Sequence, residues 1–452
     1  MRNTFYLVSL GCPKNLVDTE VMAAILEGEG FAMTADPREA AVIIVNTCAF
    51  ILPAKEESID EIIRLGRHKD PRNGSCRCLV VTGCLPQRYG GVLENALPEV
   101  DLFLGVGEIE KIGLHVKKSM TTRGNAGKVF VDSPPFLMRA RHPRHVLTPP
   151  WTAYLKIAEG CSNRCSYCVI PDIRGPFRSR DRNDILREGE RLVSLGVKEL
   201  ILIAQDVTAY GEDLEERTRL EDLLIDLSAL AGLRWLRLLY TYPTKVTKRL
   251  LEVMADGEKI CRYIDMPIQH VDDHILKTMN RRGGREEIVR TIETARAVVE
   301  DVALRTSVIV GLPGETRKRF EKLLAFIEEA RFDHLGVFAY SREEGSKAGE
   351  KRPRVSEREK DQRRRLIMER QAAISFEINR NLIGTTQEVL VEGKSDLKGY
   401  PYVGRLRRQA PDIDGVTYLR GEGLQPGLFT SCRIVAADTY DLLAEATGTP
   451  GA

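Results

Sequence analysis

Short apolar runs alternate with segments of helical spacing along most of this 452-residue chain. That alternation leaves few folds open, because it implies right-handed βαβ units built on parallel strands. The first series places strands at residues 5–9, 41–45, 79–81 and 102–104. Helical patterning lies between them at 16–29 (Val17, Val21, Ala24, Ile25) and 54–65 (Ile59, Ile62, Ile63). A second series places strands at 153–158, 200–204, 235–240, 263–266, 304–310 and 334–338. Helices are expected at 184–195, 220–231, 246–255, 272–279 with 286–299, and 316–330. Six such units make a partial parallel (βα)6 barrel, and a barrel carries its chemistry on loops at the carboxyl ends of its strands.

The pattern changes after a charged helix at 356–382. Short strand-like runs at 386–391, 402–405, 415–419 and 429–436, separated by Gly and Pro, imply a small β-barrel. The fold class is therefore α/β with a terminal β module. The expected domains are 1–132, a linker at 133–150, the barrel with its connecting helix at 151–382, and the β-barrel at 383–447. The linker is proline-rich and basic (Arg139, Arg141, His142, Arg144, His145) and reads as a solvated, extended connector. The first residues run straight into a strand, so no signal peptide is expected. No uncharged apolar run approaches the roughly 20 residues of a membrane span, and a net charge of +2 drives the chain toward neither membrane nor nucleic acid.

Ten cysteines without a secretion signal point to metal or redox chemistry in a reducing compartment, the cytoplasm. Cys161, Cys165 and Cys168 form C-x-x-x-C-x-x-C just after the first strand of the second series. Three close thiolates on such a loop suit an iron–sulfur cluster, and a four-iron cubane would keep one iron without a protein ligand. Zinc is the competing reading, but zinc sites favour paired C-x-x-C units and histidine partners. Cys12, Cys48 and Cys84 each follow a strand of the first series and stand 36 residues apart. One βαβ step takes roughly 30 residues or more, so the three strand ends should be neighbours, and their thiols could converge on a second cluster. Otherwise they are separate buried cysteines. Cys76 and Cys78 precede a strand and read as poor ligands, while Cys261 and Cys432 read as packing residues.

The C-x-x-x-C-x-x-C spacing, with Tyr167 before its last cysteine, resembles the radical S-adenosylmethionine (SAM) enzymes. With the earlier cysteine trio and a terminal segment similar to a TRAM domain, the whole chain resembles the methylthiotransferases. Residues 9–18 (SLGCPKNLVD) and 410–415 (APDIDG) are similar to the ribosomal-protein branch of that family (RimO-type). Val207 and Asp181 depart from the usual pattern but lie outside the six cysteines. The resemblance implies two [4Fe–4S] clusters, held by Cys161, Cys165 and Cys168 and by Cys12, Cys48 and Cys84. SAM would bind the open iron of the first and yield a hydrogen-abstracting radical, while the second presents the sulfur.

The resemblance further implies SAM contacts from Tyr167, Gln205, Asp206, Gln269, Val310 and Gly311, with glycine at 311 letting backbone approach the ligand. His270 is a weaker candidate. Arg174, Arg178 and Arg180 either neutralise a carboxylate or are ordinary exposed arginines. The implied reaction inserts sulfur and methyl at the β-carbon of an aspartate of small-subunit ribosomal protein number twelve, with an electron donor such as a flavodoxin or ferredoxin. The alternative substrate is a modified adenosine of transfer RNA, and a non-enzymatic electron carrier or RNA scaffold is a third reading. Charge weighs against RNA, since residues 384–452 hold seven Lys and Arg against nine Asp and Glu, whereas RNA affinity needs clustered cations.

Overall fold

The computed structural model describes residues 3–121, 128–131, 136–216, 218–352 and 354–447. The first three residues of the expected linker, Ser133, Pro134 and Pro135, lie outside these. Strands Thr4–Ser9, Val42–Thr47, Cys78–Gly83 and Leu102–Leu104 form the middle of a six-stranded, wholly parallel sheet. Two-residue strands, Ala32–Met33 and Val129–Phe130, flank it. They are too short to show an alternation, which is why the sequence pattern misses them. Val42–Val45 and Leu79–Val81 are fully buried, as continuous apolar runs in a sheet covered on both faces should be.

The second series supplies six parallel strands in two three-stranded sheets. One orders Trp235–Leu238, Glu199–Ile203 and Thr152–Lys156, the other Tyr263–Asp265, Ala303–Val310 and His334–Ala339. Between the sheets, Leu236 and Ile260 form an isolated bridge. The Cys261 N–H donates to the Leu236 carbonyl at 2.8 Å. A large apolar core lies between the strands and the outer helices. A second cluster joins Tyr154, Ile201, Ile203, Trp235, Leu239 and Tyr263 to Val17 from the first domain and to Leu390 and Ala410 from the last. All three units thus contribute side chains to one shared cluster.

Residues 386–446 close into a five-stranded barrel. Its fifth strand, Leu442–Ala446, is absent from the sequence reading. It pairs in parallel with Thr417–Arg420 and seals the sheet. This module docks on the amino ends of the central strands through buried charge. Glu199 accepts from Arg237 Nε at 2.8 Å and from Arg405 Nη2 at 2.6 Å, and its side chain is fully buried. Burial pushes the Glu199 carboxyl up, but Arg405 and Arg237 outweigh it and hold it at about 2. The folded value lies below the ordinary 4.5, so the ion pair stabilises fully above that pH and is lost as pH falls toward 2. Replacing Glu199 with Ala leaves the buried Arg237 guanidinium without a counter-charge and Arg405 with Glu392 alone, an expected loss of about 3–5 kcal/mol. Urea titrations between pH 7 and pH 3 check both points: wild type weakens across the acid range, and the variant starts weaker and changes less.

The linker reading needs correction. Arg144 is not solvated: its side chain is 1 % exposed. It donates to Glu20 Oε2 at 2.6 Å, Glu188 Oε1 at 2.8 Å and the Tyr154 carbonyl at 2.7 Å. The basic connector is a clamp that ties the first helix of the chain to the central barrel. Arg139 and Arg141 do remain exposed. Among the described residues no helix is long and apolar enough to cross a membrane.

Candidate functional site

Cys12, Cys48 and Cys84 come together at one sheet edge. Their strands are adjacent, with Ser9 opposite Asn46 and Thr47 opposite Gly83. Cys12 precedes helix Pro13–Gly28, Cys48 follows its strand directly, and Cys84 opens helix Cys84–Ala96. Polar side chains lace the three loops. Asn15 Nδ2 donates to the carbonyls of Leu10 at 3.0 Å and Thr47 at 2.9 Å. Asn46 Nδ2 donates to the Asn15 carbonyl, and Thr47 Oγ1 to the Thr82 carbonyl. Gly11 has φ +88°, and a β-carbon there would lie 2.7 Å from Cys48 Cβ. The turn before Cys12 therefore requires glycine.

The three thiols feel one another's charge. Burial, then Cys84 and Cys12, push the Cys48 thiol up to about 12. Burial also raises Cys84. At Cys12 burial acts upward too, but Lys14, Arg174 and nearby backbone N–H groups outweigh it and hold the thiol below the ordinary value.

The second trio sits where the barrel rule places it, past the carboxyl end of the first barrel strand. The Cys161 N–H donates to the Gly175 carbonyl at 3.0 Å, and the Cys168 N–H to the Cys165 carbonyl at 3.1 Å. Ser166 anchors the loop to the far side of the barrel through Met279, Thr278 and Ala348. Burial dominates the shifts of Cys161, up to about 11, and Cys168, up to about 12. Gly160 has φ +78°, and a β-carbon would stand 2.1 Å from the Pro176 carbonyl oxygen. Gly160→Ala is expected to displace the loop and cut iron bound at this trio by more than half, measured as iron per chain after anaerobic reconstitution.

Among the described residues no group of three His, Cys, Asp or Glu closes around a single metal ion. A cubane asks for something else. Each cysteine ligates a different iron, so the sulfurs stand apart by the width of the cluster. Both trios offer thiols alone, grouped and buried or part-buried, and that donor set fits a [4Fe–4S] cluster better than a lone zinc.

The expected SAM contacts divide. Gln205 donates to Glu159 Oε1 at 2.9 Å, beside the cysteine loop, and its buried Oε1 has no protein partner. Gln269 holds φ +69°, a conformation side chains rarely adopt. Such strain clusters at functional edges. Tyr167 takes its place in the loop with Arg281, whose Nη1 reaches Tyr167 Oη at 3.5 Å and Cys165 Sγ at 4.0 Å. Asp206 is already engaged, accepting from Asn163 at 2.8 Å and from Thr208. The Val310 carbonyl accepts from the Tyr340 N–H. At Gly311 the close neighbour is Lys360, whose Cγ would lie 2.3 Å from a β-carbon. The glycine makes room for a lysine stem.

His270 is buried, and its Nε2 has no protein partner. Its Nδ1 accepts from the Asp272 N–H at 3.0 Å, and burial takes its pKa down to about 4. Cys76, Cys78, Cys261 and Cys432 are buried, raised by burial to about 11, 12, 11 and 12. Of the three arginines, Arg180 is bound into the fold by Glu188, Asp184 and the Lys156 carbonyl.

Arg174 is different and joins the two trios. Its Nη2 donates to Asn15 Oδ1 at 2.5 Å and lies 3.8 Å from Cys84 Sγ. Its Nη1 donates to Asp18 at 2.8 Å and Glu159 at 3.1 Å, and Glu159 is two residues before Cys161. Lys156 adds a second buried cation against Asp18 and Glu159. Burial alone would raise the Glu159 carboxyl, but Lys156 and Arg174 hold it down at about 2. Glu159 and Arg281 escape sequence reasoning, since no spacing rule marks a lone polar residue, and Asn15 and Asp18 enter it only as members of the 9–18 motif, without a role of their own.

Family profiles agree with this architecture. The Radical SAM superfamily matches residues 155–327, Uncharacterized protein family UPF0004 residues 4–105, and the TRAM domain residues 383–447. Over an alignment of 455 positions that covers 100 % of both proteins, the chain is 58 % identical to "Ribosomal protein uS12 methylthiotransferase RimO" of Syntrophus aciditrophicus (strain SB). It is 50 % identical to the protein of that name in Geotalea uraniireducens (strain Rf4), over 97 % of each chain. Among solved structures it resembles the radical S-adenosylmethionine methyltransferase TsrM from Kitasatospora setae with tryptophan substrate and a SAM analog bound. There the TM-score is 0.56 at 14 % identity, over 88 % of this chain and 79 % of that one, a likeness of fold. With both cysteine trios in place and full-length identity this high, the chain belongs to the RimO family of radical SAM methylthiotransferases, whose cofactors are SAM and [4Fe–4S] clusters.

Proposed function

We propose that this enzyme places a methylthio group on the β-carbon of an aspartate of small-subunit ribosomal protein uS12. Cys161, Cys165 and Cys168 hold the cluster that binds SAM, and Cys12, Cys48 and Cys84 hold the cluster that presents sulfur. When bound, these groups supply the reductive cleavage of SAM, the hydrogen abstraction and the sulfur. The protein's own part is placement. The observation that carries the reading is Arg174, which touches Cys84 and Asn15 on one side and Glu159, beside the Cys161 loop, on the other. On this reading the two trios, tied by one side chain, open onto a common space, as a transfer from one to the other requires. Gln205, with its free buried oxygen, Gln269 and Tyr167 line the SAM side.

The substrate class follows from the relatives and from charge. In the terminal barrel, Arg405, Arg407 and Arg408 are spent on Glu199, Glu388 and Asp333. That removes three of its seven cations from any phosphate-binding face and favours a basic protein over RNA. The electron donor is a small reducing protein such as a flavodoxin or ferredoxin, and the reaction belongs in the cytoplasm with the ribosome. Mass spectrometry of ribosomal proteins and transfer RNA from a strain lacking the gene tests the substrate. Loss of about 46 Da, a methylthio group replacing hydrogen, is expected on uS12 alone. Loss from transfer RNA with uS12 unchanged would overturn the assignment.

A further inference from the structure

We propose that Lys14 is the specificity-determining cation that grips the carboxylate of the substrate aspartate. The inference rests on the reading above that an aspartate side chain is the target. Lys14 lies on the first turn of helix Pro13–Gly28, two residues after Cys12, and is only 8 % exposed. The other buried cations around the site are committed. Lys156 and Arg174 face Asp18 and Glu159, and Arg305 faces Asp265. Arg281 is held by the Pro267 carbonyl and Tyr167. Among the described residues the Lys14 ammonium has no carboxylate partner and no hydrogen bond. It rests 3.5 Å over the ring of Tyr240.

An ammonium removed from most of its water and held by no hydrogen bond is costly, and the aromatic face and the Cys12 thiol that it faces compensate only part of the lost hydration. An arriving carboxylate would complete the site. Tyr240 shows where that carboxylate would come. It follows the barrel strand Trp235–Leu238 at its carboxyl end, with φ +66° fixed by its N–H donating to Asp265 Oδ2 at 3.0 Å. The ammonium therefore reaches from the Cys12 loop across to the barrel edge that carries the second trio. A β-carbon lies one bond from its carboxylate. Holding the carboxylate at Lys14 fixes that carbon beside the Cys12 side of the site, where sulfur is delivered. A neutral amide would lose the charge-assisted part of that grip.

The test measures binding of purified uS12, carrying either the target aspartate or asparagine in its place, to the anaerobically reconstituted full-length enzyme. Wild type is expected to prefer the aspartate form about tenfold or more, the scale of one charged hydrogen bond. Lys14→Gln, compared at equal iron loading, should bring the two forms to near-equal affinity, and Lys14→Arg should restore much of the preference. Equal binding of both forms by wild type overturns the proposal. So does a preference that survives in Lys14→Gln. If Lys14→Gln loses iron, the Arg variant decides: a retained aspartate preference supports the proposal, and its loss with iron intact overturns it. If wild type binds neither form and adds no mass to uS12, the substrate reading itself has failed.

Discussion

Replacing Cys12, Cys48 and Cys84 together with alanine is expected to abolish methylthio product while leaving SAM cleavage in place. Reconstituted wild type should hold about eight irons per chain, and this variant about four, from two four-iron clusters. The complementary variant, with Cys161, Cys165 and Cys168 replaced, should also hold about four irons but cleave no SAM. The asymmetry follows from position. On the reading proposed above, SAM binds at the second trio, whose loop carries Tyr167 and follows Glu159, the acceptor of the Gln205 hydrogen bond. The first trio sits on a separate sheet edge behind Arg174. Iron analysis together with detection of 5′-deoxyadenosine separates the two cases. Equal loss of SAM cleavage in both variants would contradict the division of labour.

The second large effect is expected at Arg174. Its guanidinium is 3 % exposed and meets two buried carboxylates, Asp18 and Glu159, and the Asn15 amide oxygen. Replacing it with Met removes one of two buried cations and leaves Lys156 alone against both acids. Removing one partner of such a group costs about 3–5 kcal/mol, because the remaining charge stays buried. Arg174→Met should therefore lower the urea midpoint of the iron-free protein and reduce iron at the first trio. Arg174→Lys keeps the charge but not the planar fork that spans Asn15 and Asp18, so its loss should be intermediate. An unchanged midpoint and full iron content in Arg174→Met would show that the bridge between the trios is not structural.

Much of this was legible in the sequence, for a physical reason. Parallel strands buried on both faces are continuous apolar runs, and those runs located the cysteines that follow them. Equal spacing of Cys12, Cys48 and Cys84 after such runs put them on one edge, where the structure finds them. Illegible features depend on contacts between distant segments. Arg144 reads as a solvated linker residue until Glu20 and Glu188 close on it. Gly311 reads as a ligand cradle until the Lys360 stem fills the space. Strand Leu442–Ala446 is short and carries Glu445 and Ala residues of weak strand preference; its partners define it. Lys14 stands unmarked inside the 9–18 motif, and Arg174 is one of three neighbouring arginines with two readings each; only their contacts in the fold, with Tyr240 and with Cys84 and Glu159, distinguish them.

Magnetic coupling between the two reduced clusters tests the shared space most directly, because the interaction of two spins falls steeply with separation. The electron paramagnetic resonance spectrum of the reduced, fully reconstituted enzyme should differ from the sum of the two single-trio variants, broadened by mutual interaction. A spectrum that equals that sum would place the clusters far apart and leave the first trio unable to deliver sulfur to a carbon activated at the second.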